Sequence, residues 1–547
     1  MHHPIILPYG LFPGPNVQVT SFTWNPGDRN SRSECDLVTN PNNSDNLIAV
    51  SKRFYDLEHY RFTVASAFTN DGGSTWHKSA DVNLWGNTEQ TGGYTDPALA
   101  MDSNGVAYLI AEPDIWTDLP GSGDVVSTGM YAFRSTDGGA SWSSIPVLLE
   151  DRQAGDDKQW ATADNNEGSA FKGRVYAIWA AGTPLFFARK MAGEIAWQGA
   201  GIDSAPTAIF AGEAFAPAIC VSGDGTIHIA WHVPGTGVIL HMSSSDGGET
   251  FSDPDFCADG IGDITTAFPP PGLPGADFPR FPGGTFRVMT LVTIAPIGSG
   301  GCIVAWADAR RPFTRIFFRV RDDNGAWLGD ESGEPLLGAI GFPDSTAMQH
   351  FHPQLAVTPS GIIGCAFYEF GVKGADGIRR IDVKLASTAL FSQNFVFLTT
   401  VTEQPWDPLI DAPFSHDNPN VTFIGEYFGL DTSDEDFCVL WTDTRTLHQE
   451  LWFSRVATSR WASRPPRLQP GLVGQLVGGV AVDGGGWVIV GGYPHPIPPS
   501  GPATEILQLL AADGLVRGVS GTVSAQISRA IFRAIAEIAT RADESAD

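Results

Sequence analysis

The sequence contains no run of 18 apolar residues and few basic side chains. Because a helix needs about 20 consecutive apolar residues to cross a bilayer, the first absence predicts that the chain has no membrane span. Basic residues are also outnumbered: the chain has 33 lysines and arginines and 61 acidic residues, so its formal net charge is −28. Without a basic surface to neutralise phosphates, nucleic acid is excluded as the main partner, whereas a carbohydrate or protein ligand fits.

The start of the chain lacks the pattern of a signal peptide. Residues Met1–Pro8 provide neither a basic region nor the apolar core of about 7–15 residues that such a peptide needs. No export signal is therefore visible in the chain.

The cysteines lack the spacing of a zinc knuckle. Six cysteines, at positions 35, 220, 257, 302, 365 and 438, show no Cys-x-x-Cys pair. Several precede an aromatic residue within an apolar segment, which predicts buried free thiols that pack as small hydrophobes, with disulfides as the alternative. No cofactor is evident and no metal site is predicted. A structural calcium ion stays open at turns such as Asp224-Gly225, although no segment matches an EF-hand loop.

Glycine, by contrast, recurs in one motif. The octapeptide Ser135–Trp142 has near copies at Thr69–Trp76 and Ser244–Phe251, with the shared pattern (S/T)-x-D-G-G-x-(S/T)-(W/F). This pattern predicts a hairpin turn, because the aspartate accepts backbone N–H groups and the glycines permit positive φ. The closing aromatic is expected to bury about 150–250 Å², which outweighs the hydrogen bonds of the turn. A structural role is therefore predicted for Asp71, Trp76, Asp137, Trp142, Asp246 and Phe251.

The motif belongs to a longer repeat. Seven units line up, with first strands that begin near residues 35, 96, 160, 217, 286, 353 and 423; the fifth and seventh are predicted at 286–291 and 423–427. Each unit continues with a strand that ends in an aromatic, and alternation with period two indicates strands. Repeated four-stranded sheets predict an all-β fold, a seven-bladed β-propeller, with six blades as the alternative.

The predicted propeller occupies residues 35–463. The N-terminal segment, 1–34, holds a strand candidate at 16–20 that would complete the last blade. A Pro-rich linker at 464–472 leads to a small C-terminal α+β extension, 473–547, with a hairpin and two helices, at about 504–512 and 522–541. The last helix has one apolar face, so the C-terminal region is expected to mediate assembly.

Over residues 35–456 the turn motif, together with the aromatic-ending strand before it, resembles the Asp-box (BNR) repeat of the sialidase-like propeller superfamily. The segments 157–160, 425–429 and 441–445 are similar to bacterial sialidase-like proteins. The resemblance implies a propeller, and it leaves the activity open because the same fold carries many functions.

The resemblance does not extend to the catalytic residues of true sialidases. Those enzymes use three arginines, a Tyr–Glu nucleophile pair and an acidic residue, and the first arginine usually lies in an Arg-Ile-Pro stretch. This chain has no such tripeptide, and Arg280 in Phe278–Pro282 is its only echo. Glu426 and Tyr427 are adjacent, and adjacent residues of a strand point to opposite faces. The catalytic set is therefore not carried over.

The loops at one mouth of the propeller provide the candidate site, on the face opposite the repeated turns. The entries to the innermost strands and the loops between second and third strands carry acidic residues interspersed with cations. Such rims bind ligands in propellers. The catalytic candidates are Asp96, Glu426 and Tyr427. The candidates for substrate binding are Asp157, Trp160, Asp308, Arg310, His352, Asp443 and Arg445.

Two of these sets have a specific alternative. The repeated Trp-x-Asp-x-Arg at 306–310 and 441–445 suits a clamp for a substrate carboxylate, but each Asp and Arg would equally pair with each other and fix a loop. Asp96 and Glu426 would serve as acid and base only if their carboxyl groups were either about 5–5.5 Å or about 6.5–9.5 Å apart.

The pattern as a whole favours a binding module for carbohydrate or protein on the loop-rich face. The alternatives are a glycoside hydrolase, similar to an exo-sialidase, that uses rim carboxylates, and a structural subunit of an extracellular or particle-associated assembly. The sequence does not decide whether the chain is an enzyme. An extracellular or cell-surface location is favoured.

Overall fold

The computed structural model describes residues 9–24, 30–82, 92–116, 125–127, 129–150, 156–201, 206–269, 278–389, 392–459, 480–482, 487–490 and 493–496. The chain opens with β1 (Tyr9–Pro13), β2 (Val17–Gln18) and a 3-10 turn at Phe22–Trp24. The first blade contains β3 (Ser31–Asn40), β4 (Asn43–Asp56), β5 (Arg61–Thr69) and β6 (His77–Lys78). The second contains β7 (Gly92–Met101), β8 (Ala107–Trp116), β9 (Val125–Ser127), β10 (Met130–Ser135) and β11 (Val147–Glu150).

The third and fourth blades follow. The third contains β12 (Trp160–Ala163), β13 (Val175–Trp179), then, after β14 (Ala181–Gly182), β15 (Leu185–Lys190), β16 (Trp197–Gln198) and β17 (Thr207–Phe210). The fourth contains β18 (Ala214–Val221), which also pairs with β14, β19 (Ile227–Val233), β20 (Val238–Ser244) and β21 (Asp255–Asp259). A single helical turn, α1 (Ile264–Ala267), comes next.

The fifth blade contains β22 (Val292–Ile297), β23 (Gly301–Asp308), β24 (Arg315–Arg321), β25 (Trp327–Leu328) and β26 (Glu334–Pro335). The sixth contains β27 (Gln349–Val357), β28 (Ile363–Lys373), β29 (Arg379–Thr388) and β30 (Phe395–Thr400). A two-stranded ribbon, β31 (Phe414–Ser415) and β32 (Asn418–Thr422), precedes the seventh blade of β33 (Gly429–Ser433), β34 (Asp436–Asp443) and β35 (Glu450–Ser459).

The seven sheets close into a ring, which confirms the predicted seven-bladed propeller and excludes the six-bladed alternative. The innermost strands β3, β7, β12, β18, β22, β27 and β33 each contact the next one along, and β33 contacts β3. Both β1 and β2 pair with β35, so the N-terminal strands lie in the same sheet as the end of the propeller chain. Circular closure leaves no inner sheet edge unprotected.

The core lies between the blades, where the second strand of most units ends in a buried aromatic. Trp179, Trp231, Trp306, Tyr368 and Trp441 are each at most 1% exposed. All six cysteines are buried free thiols. The apolar alternation read from the sequence therefore corresponds to the layers that hold neighbouring blades together.

The predicted first strands of the fifth and seventh units are wrong. The innermost strands are β22 and β33, which begin six residues after the predicted starts at 286 and 423. The start of the first segment pairs with the end of β32 instead: the Arg287 N–H donates to the carbonyl of Thr422 (3.1 Å), and the Thr422 N–H donates to the carbonyl of Thr285 (2.9 Å). Phe286 and Phe423 are buried in the core although they are not part of an innermost strand. The apolar pattern of these segments therefore reflects burial and not membership of a blade.

The three copies of the motif, here called the repeated turns (residues 69–76, 135–142 and 244–251), share one geometry. In the first, the Asp71 carboxylate accepts hydrogen bonds from the Thr75 N–H (2.9 Å) and the Thr75 and Thr69 hydroxyls (2.6 and 2.7 Å). Each turn packs against the neighbouring blade. Trp76 contacts Phe453 of the last blade at 5.4 Å between ring centroids, and Phe251 contacts Phe187 of the third blade at 4.8 Å.

The remaining strands, β36 (Val480–Val482), β37 (Trp487–Val490) and β38 (Tyr493–Pro496), form a small antiparallel sheet. The linker at 464–472 and the helices predicted at about 504–512 and 522–541 lie outside the described residues, and the domain boundaries stay a prediction. Within the part of the chain that the structure describes, no helix is long and apolar enough to cross a membrane.

Candidate functional site

A repeated backbone feature surrounds the axis at the mouth opposite the repeated turns. At the entry to the innermost strand, five blades place a non-glycine residue at positive φ: Glu34 (47°), Asp96 (48°), Lys158 (55°), Ala216 (46°) and His352 (49°). Such residues are uncommon outside glycine, and four of them coincide with a shift in strand register. Each bulge turns one side chain out of the alternation of its strand.

Three of these side chains meet at one ammonium group. The Lys158 Nζ lies 2.8 Å from Asp96 Oδ2, 3.3 Å from Glu34 Oε1 and 2.5 Å from Glu426 Oε2. Four blades thus contribute to one cluster, in which every one of these side chains is at most 7% exposed. Burial of this degree makes the pairing decisive for stability, since unpaired charges are costly in a low dielectric.

Two further cations complete what we call the axial cluster: Glu34, Asp96, Lys158, Glu426, Lys52 and Arg287. The Lys52 Nζ lies 3.4 Å from Glu34 Oε2 and 3.6 Å from Asp96 Oδ1. The Arg287 Nε lies 2.8 Å from Glu426 Oε1. The axial cluster therefore combines three cationic and three carboxylic side chains.

Aromatic rings hold the two outer cations in place. The Lys52 ammonium lies 4.0 Å from the ring centroid of Phe62, and the Arg287 guanidinium lies 4.3 Å from that of Phe423. Cation–π attraction is strongest where water is excluded, so these rings fix the positions of the charges.

The electrostatics of the axial cluster keep two carboxylates ionised. Burial by itself would raise the pKa of Asp96, but Lys158 and Lys52 hold it well below its usual value. Burial likewise opposes ionisation of Glu426, and Arg287 and Lys158 more than compensate, so that its pKa is lowered. Glu34 behaves differently, because burial and the nearby Asp96 raise its pKa. Neither Asp96 nor Glu426 has a proton to donate near neutral pH.

A small pocket adjoins the axial cluster. It offers about 40 Å³ of room and is lined by Lys158, Gln159, Trp160, Ala216, Pro217, Ala218, Leu291, Val292, Thr293, Gln354 and Tyr427. Trp160 is half-buried and meets Tyr427 edge to face, with ring centroids 5.5 Å apart. The Tyr427 hydroxyl donates to the carbonyl of Pro97 (3.3 Å). Since about 10–15 Å³ of such room is enough for one water, the pocket holds a few waters or one small group, and the rest of any ligand would lie outside it.

Two other predicted residues lie near the axial cluster. Asp157 is half-buried, and its Oδ1 accepts a hydrogen bond from the Lys158 N–H (2.7 Å). Burial, with a further contribution from Asp96, raises the pKa of Asp157 to about 7. His352 is buried, and within the described residues neither ring nitrogen has a hydrogen-bond partner. Burial lowers the pKa of His352 to about 3, so the ring is neutral at pH 7.

The structure places the Trp-x-Asp-x-Arg residues in local contacts. The Asp443 carboxylate accepts from the Trp441 Nε1–H (3.1 Å), the Arg445 Nε–H (3.0 Å) and the Arg445 backbone N–H (2.9 Å). Asp308 makes the same three contacts with Trp306 and Arg310. Both aspartates are 0% exposed. Each Asp–Arg pair therefore fixes its own loop.

This arrangement predicts that Asp443→Asn lowers the free energy of unfolding by about 1–3 kcal/mol, because the amide NH₂ would face donors that now meet a carboxylate oxygen. Chemical denaturation of both proteins measures the difference. Asp344→Asn serves as the control, since Asp344 forms an exposed pair with Arg311 and its loss should change stability by less than about 0.5 kcal/mol. Equal effects of the two substitutions would contradict a structural role for the Asp443 contacts.

The sequence candidates include only two of the six residues of the axial cluster, Asp96 and Glu426. Glu34, Lys52, Lys158 and Arg287 were not among them. A usable signal existed for Lys52, because Lys52-Arg53 interrupts the apolar strand between Leu47 and Phe54, and charges inside such a strand are either paired or at an edge. Glu34 stands in the first blade where Asp96 stands in the second, because each lies at the register shift of its innermost strand. The repeat alignment began the first unit one residue later, at Cys35, and so did not include it.

Comparison with known proteins gives structural likeness alone. No protein-family model matches the sequence, and no curated protein matches it. A protein of unknown function from Dyadobacter fermentans is 14% identical over 69% of this chain and 98% of its own, with a TM-score of 0.43. The NanB sialidase of Streptococcus pneumoniae is 13% identical over 66% of this chain and 67% of its own, with a TM-score of 0.40. An ulvan lyase is 12% identical over 64% of this chain and 79% of its own, with a TM-score of 0.38.

Proposed function

We propose that the chain is a carbohydrate-binding propeller that takes its ligand at the mouth beside the axial cluster and does not cleave it through Asp96 and Glu426. One observation carries the proposal: the Lys158 ammonium contacts both carboxylates, at 2.8 and 2.5 Å. The two groups are therefore already satisfied, and the surface they support is fixed in place.

The same contact argues against glycoside cleavage by this pair. Glycosidases need one carboxylic acid that carries a proton and one carboxylate that acts as nucleophile or base. Lys158 with Lys52 lowers the pKa of Asp96, and Arg287 with Lys158 lowers that of Glu426, in both cases against the effect of burial. Both groups are acceptors, and neither is an acid.

The chemistry of the mouth favours a neutral polar ligand. Positive and negative side chains of the axial cluster pair with one another, so the cluster presents no large net charge to a ligand at the mouth. Beside them, the pocket places the half-buried ring of Trp160. Binding sites commonly combine apolar and aromatic walls with a few fixed polar groups, and a sugar presents hydroxyls and an apolar ring face to such a surface.

A glycan array, followed by hydrolysis assays with a panel of aryl glycosides, tests this function. We expect binding to at least one glycan without turnover, and loss of at least about tenfold in affinity on Trp160→Ala, because the aromatic wall is removed. Phe256→Ala is the matched control, since Phe256 is 61% exposed on β21 and lies away from the mouth. Turnover that disappears in both Asp96→Asn and Glu426→Gln would overturn the proposal.

One observation favours glycoside cleavage as the second candidate. Asp157 borders the axial cluster, is half-buried and has a pKa raised to about 7 by burial and Asp96, which suits a general acid. If the chain were an enzyme of this kind, its activity would fall as the pH rises through about 7, and Asp157→Asn would abolish both the activity and this limb of the pH profile.

A further inference from the structure

A second cluster of chemically active side chains lies between the fourth and fifth blades, away from the mouth. His228 on β19, His241 on β20 and Cys302 on β23 each offer one donor atom, and these atoms lie within 4.8 Å of one another. All three residues are buried. His228 is the second residue of β19, just after the β18–β19 turn, so the cluster is close to the face that carries the repeated turns.

Strand register explains why the two histidines meet. On β19 and β20, Ala230 is opposite His241 and His228 is opposite Ser243, so the histidines are diagonal neighbours on one face of the sheet. That face packs against the fifth blade, where Cys302 lies in the same apolar cluster as Cys220 and Cys257. The spacing of 228, 241 and 302 in the sequence matches no metal-binding motif, which is why the sequence predicted no site.

The outward nitrogen of each ring is oriented by a partner. The His241 Nδ1 lies 2.9 Å from Asp255 Oδ1, and the His228 Nε2 lies 3.2 Å from the Ser222 hydroxyl. The remaining nitrogens, His228 Nδ1 and His241 Nε2, face each other at 3.1 Å. Carboxylate and hydroxyl partners on the second nitrogen are typical of metal-binding histidines, because they fix the tautomer and the ring orientation.

The ionisation states suit neutral ligands. Burial, aided by the positive charge that His241 would carry, lowers the pKa of His228 to about 3, and burial also lowers the pKa of His241. Both rings are therefore neutral at pH 7, which is the form that binds metal ions. Burial raises the pKa of the Cys302 thiol, so a metal ion has to displace its proton.

We propose that His228, His241 and Cys302 bind one Zn²⁺ ion that links the fourth and fifth blades. Two imidazoles with a thiolate are the ligand types that Zn²⁺ takes in structural sites. Cys220 and Cys257 lie in the same apolar cluster as Cys302 but outside the group of donor atoms within 4.8 Å of one another, so the proposal rests on three protein ligands. Asp255, with 42% of its side chain exposed, connects the site to solvent.

Binding of the ion breaks the S–H bond of Cys302 and moves the proton of the His228 ring. The S–H bond of Cys302 breaks as the S–Zn bond forms, and the thiol proton leaves to solvent. The proton of His228 moves from Nδ1 to Nε2, where the Ser222 oxygen accepts the hydrogen bond; the Ser222 hydroxyl in turn reaches the carbonyl of Thr226 (3.1 Å). One proton is therefore released per ion bound.

The same distances are also compatible with a chain of hydrogen bonds, Ser222 to His228 to His241 to Asp255, that holds no ion. Metal content separates the two. The full-length chain is stripped with a chelator, incubated with Zn²⁺ at pH 7 and desalted. We expect about one equivalent more zinc in the wild type than in Cys302→Ser or His228→Gln. His77→Gln, at an exposed histidine, is the matched control and should retain the wild-type content.

Cobalt and X-ray absorption make the test independent of how well the variants fold. Co²⁺ bound to the wild type should give a thiolate-to-cobalt charge-transfer band that Cys302→Ser lacks. The zinc edge of the wild type should show nitrogen at about 2.0–2.1 Å and sulfur at about 2.3 Å. Zinc retention that equals that of Cys302→Ser, or a wild type with no cobalt–thiolate band, would overturn the proposal in favour of the hydrogen-bonded chain.

Discussion

Replacing Lys158 by methionine is expected to lower the free energy of unfolding by about 3–5 kcal/mol, which is the usual cost of removing one partner from a buried ion pair. Methionine fills a similar volume, so the loss comes from charge and not from a cavity. Without the ammonium, Asp96 and Glu426 lose contacts of 2.8 and 2.5 Å while they stay buried. Denaturant midpoints of wild type and variant at pH 7 measure the effect.

The same variant has a pH signature. Burial raises the folded-state pKa of Asp96, but Lys158 and Lys52 lower it further than burial raises it, to well below its usual value. This depression stabilises the wild type above a pH of about 4 and is lost as the pH falls through the folded-state pKa. In the variant the carboxyl pKa rises, so a penalty grows as the pH increases above about 4. The difference in stability is therefore expected to widen from pH 4 to pH 7.

Two further proteins control the interpretation. Lys172→Met removes the half-buried partner of the exposed Glu167 and should change stability by less than about 1 kcal/mol. Adding Glu426→Gln to Lys158→Met removes one of the stranded charges and should recover part of the loss, with a coupling of about 0.5–3 kcal/mol. A Lys158→Met variant as stable as Lys172→Met would show that the axial cluster contributes no net stability through this residue.

Local patterns made the fold predictable. The repeated turns and the aromatic ends of the second strands are short-range signals, and both correspond to what the structure shows. Prediction failed at 286–291 and 423–427, where buried apolar residues precede the innermost strands β22 and β33 instead of belonging to them. Hydrophobicity reports burial, and burial outside a blade has the same signature as burial within one.

The candidate site was predictable in its position and only partly in its composition. Asp96 and Glu426 are joined by Lys158, although 330 residues of chain separate them. No periodicity reports such contacts, because they arise from the closure of the ring. The Trp-x-Asp-x-Arg pairs show the opposite case, because Asp443 and Arg445 are two residues apart and form a local ion pair that the sequence spacing already indicates.

The repeated turns also pack closely against the neighbouring blades, which the sequence motif alone does not predict. Their second glycines lie directly against side chains of the neighbouring blade: Gly139 against Ile48, and Gly248 against Phe187. At Gly73 the neighbour is Phe453 of the last blade, so this turn packs across the seam where the first and last blades meet. The glycines are required both for positive φ and for close approach.

Gly73→Ala is expected to lower the free energy of unfolding by about 2–5 kcal/mol. A methyl group there would lie 2.1 Å from Phe453 Cε1, and φ is +92°. The conformational part costs about 1–2 kcal/mol and overpacking adds about 1–3 kcal/mol. Phe453 is 2% exposed and is packed by Trp76, so it has little room to move away.

Gly361→Ala is the control that has the conformational cost without the packing cost. Gly361 has a φ of +87°, and no atom lies within 4 Å of the added methyl group. Its cost should be the conformational one alone, about 1–2 kcal/mol. Denaturation of the two variants beside the wild type gives the difference, which measures the contact across the seam between the first and last blades. If the two substitutions cost the same, the repeated turn at Asp71 stabilises its own hairpin and adds nothing to the closure of the ring.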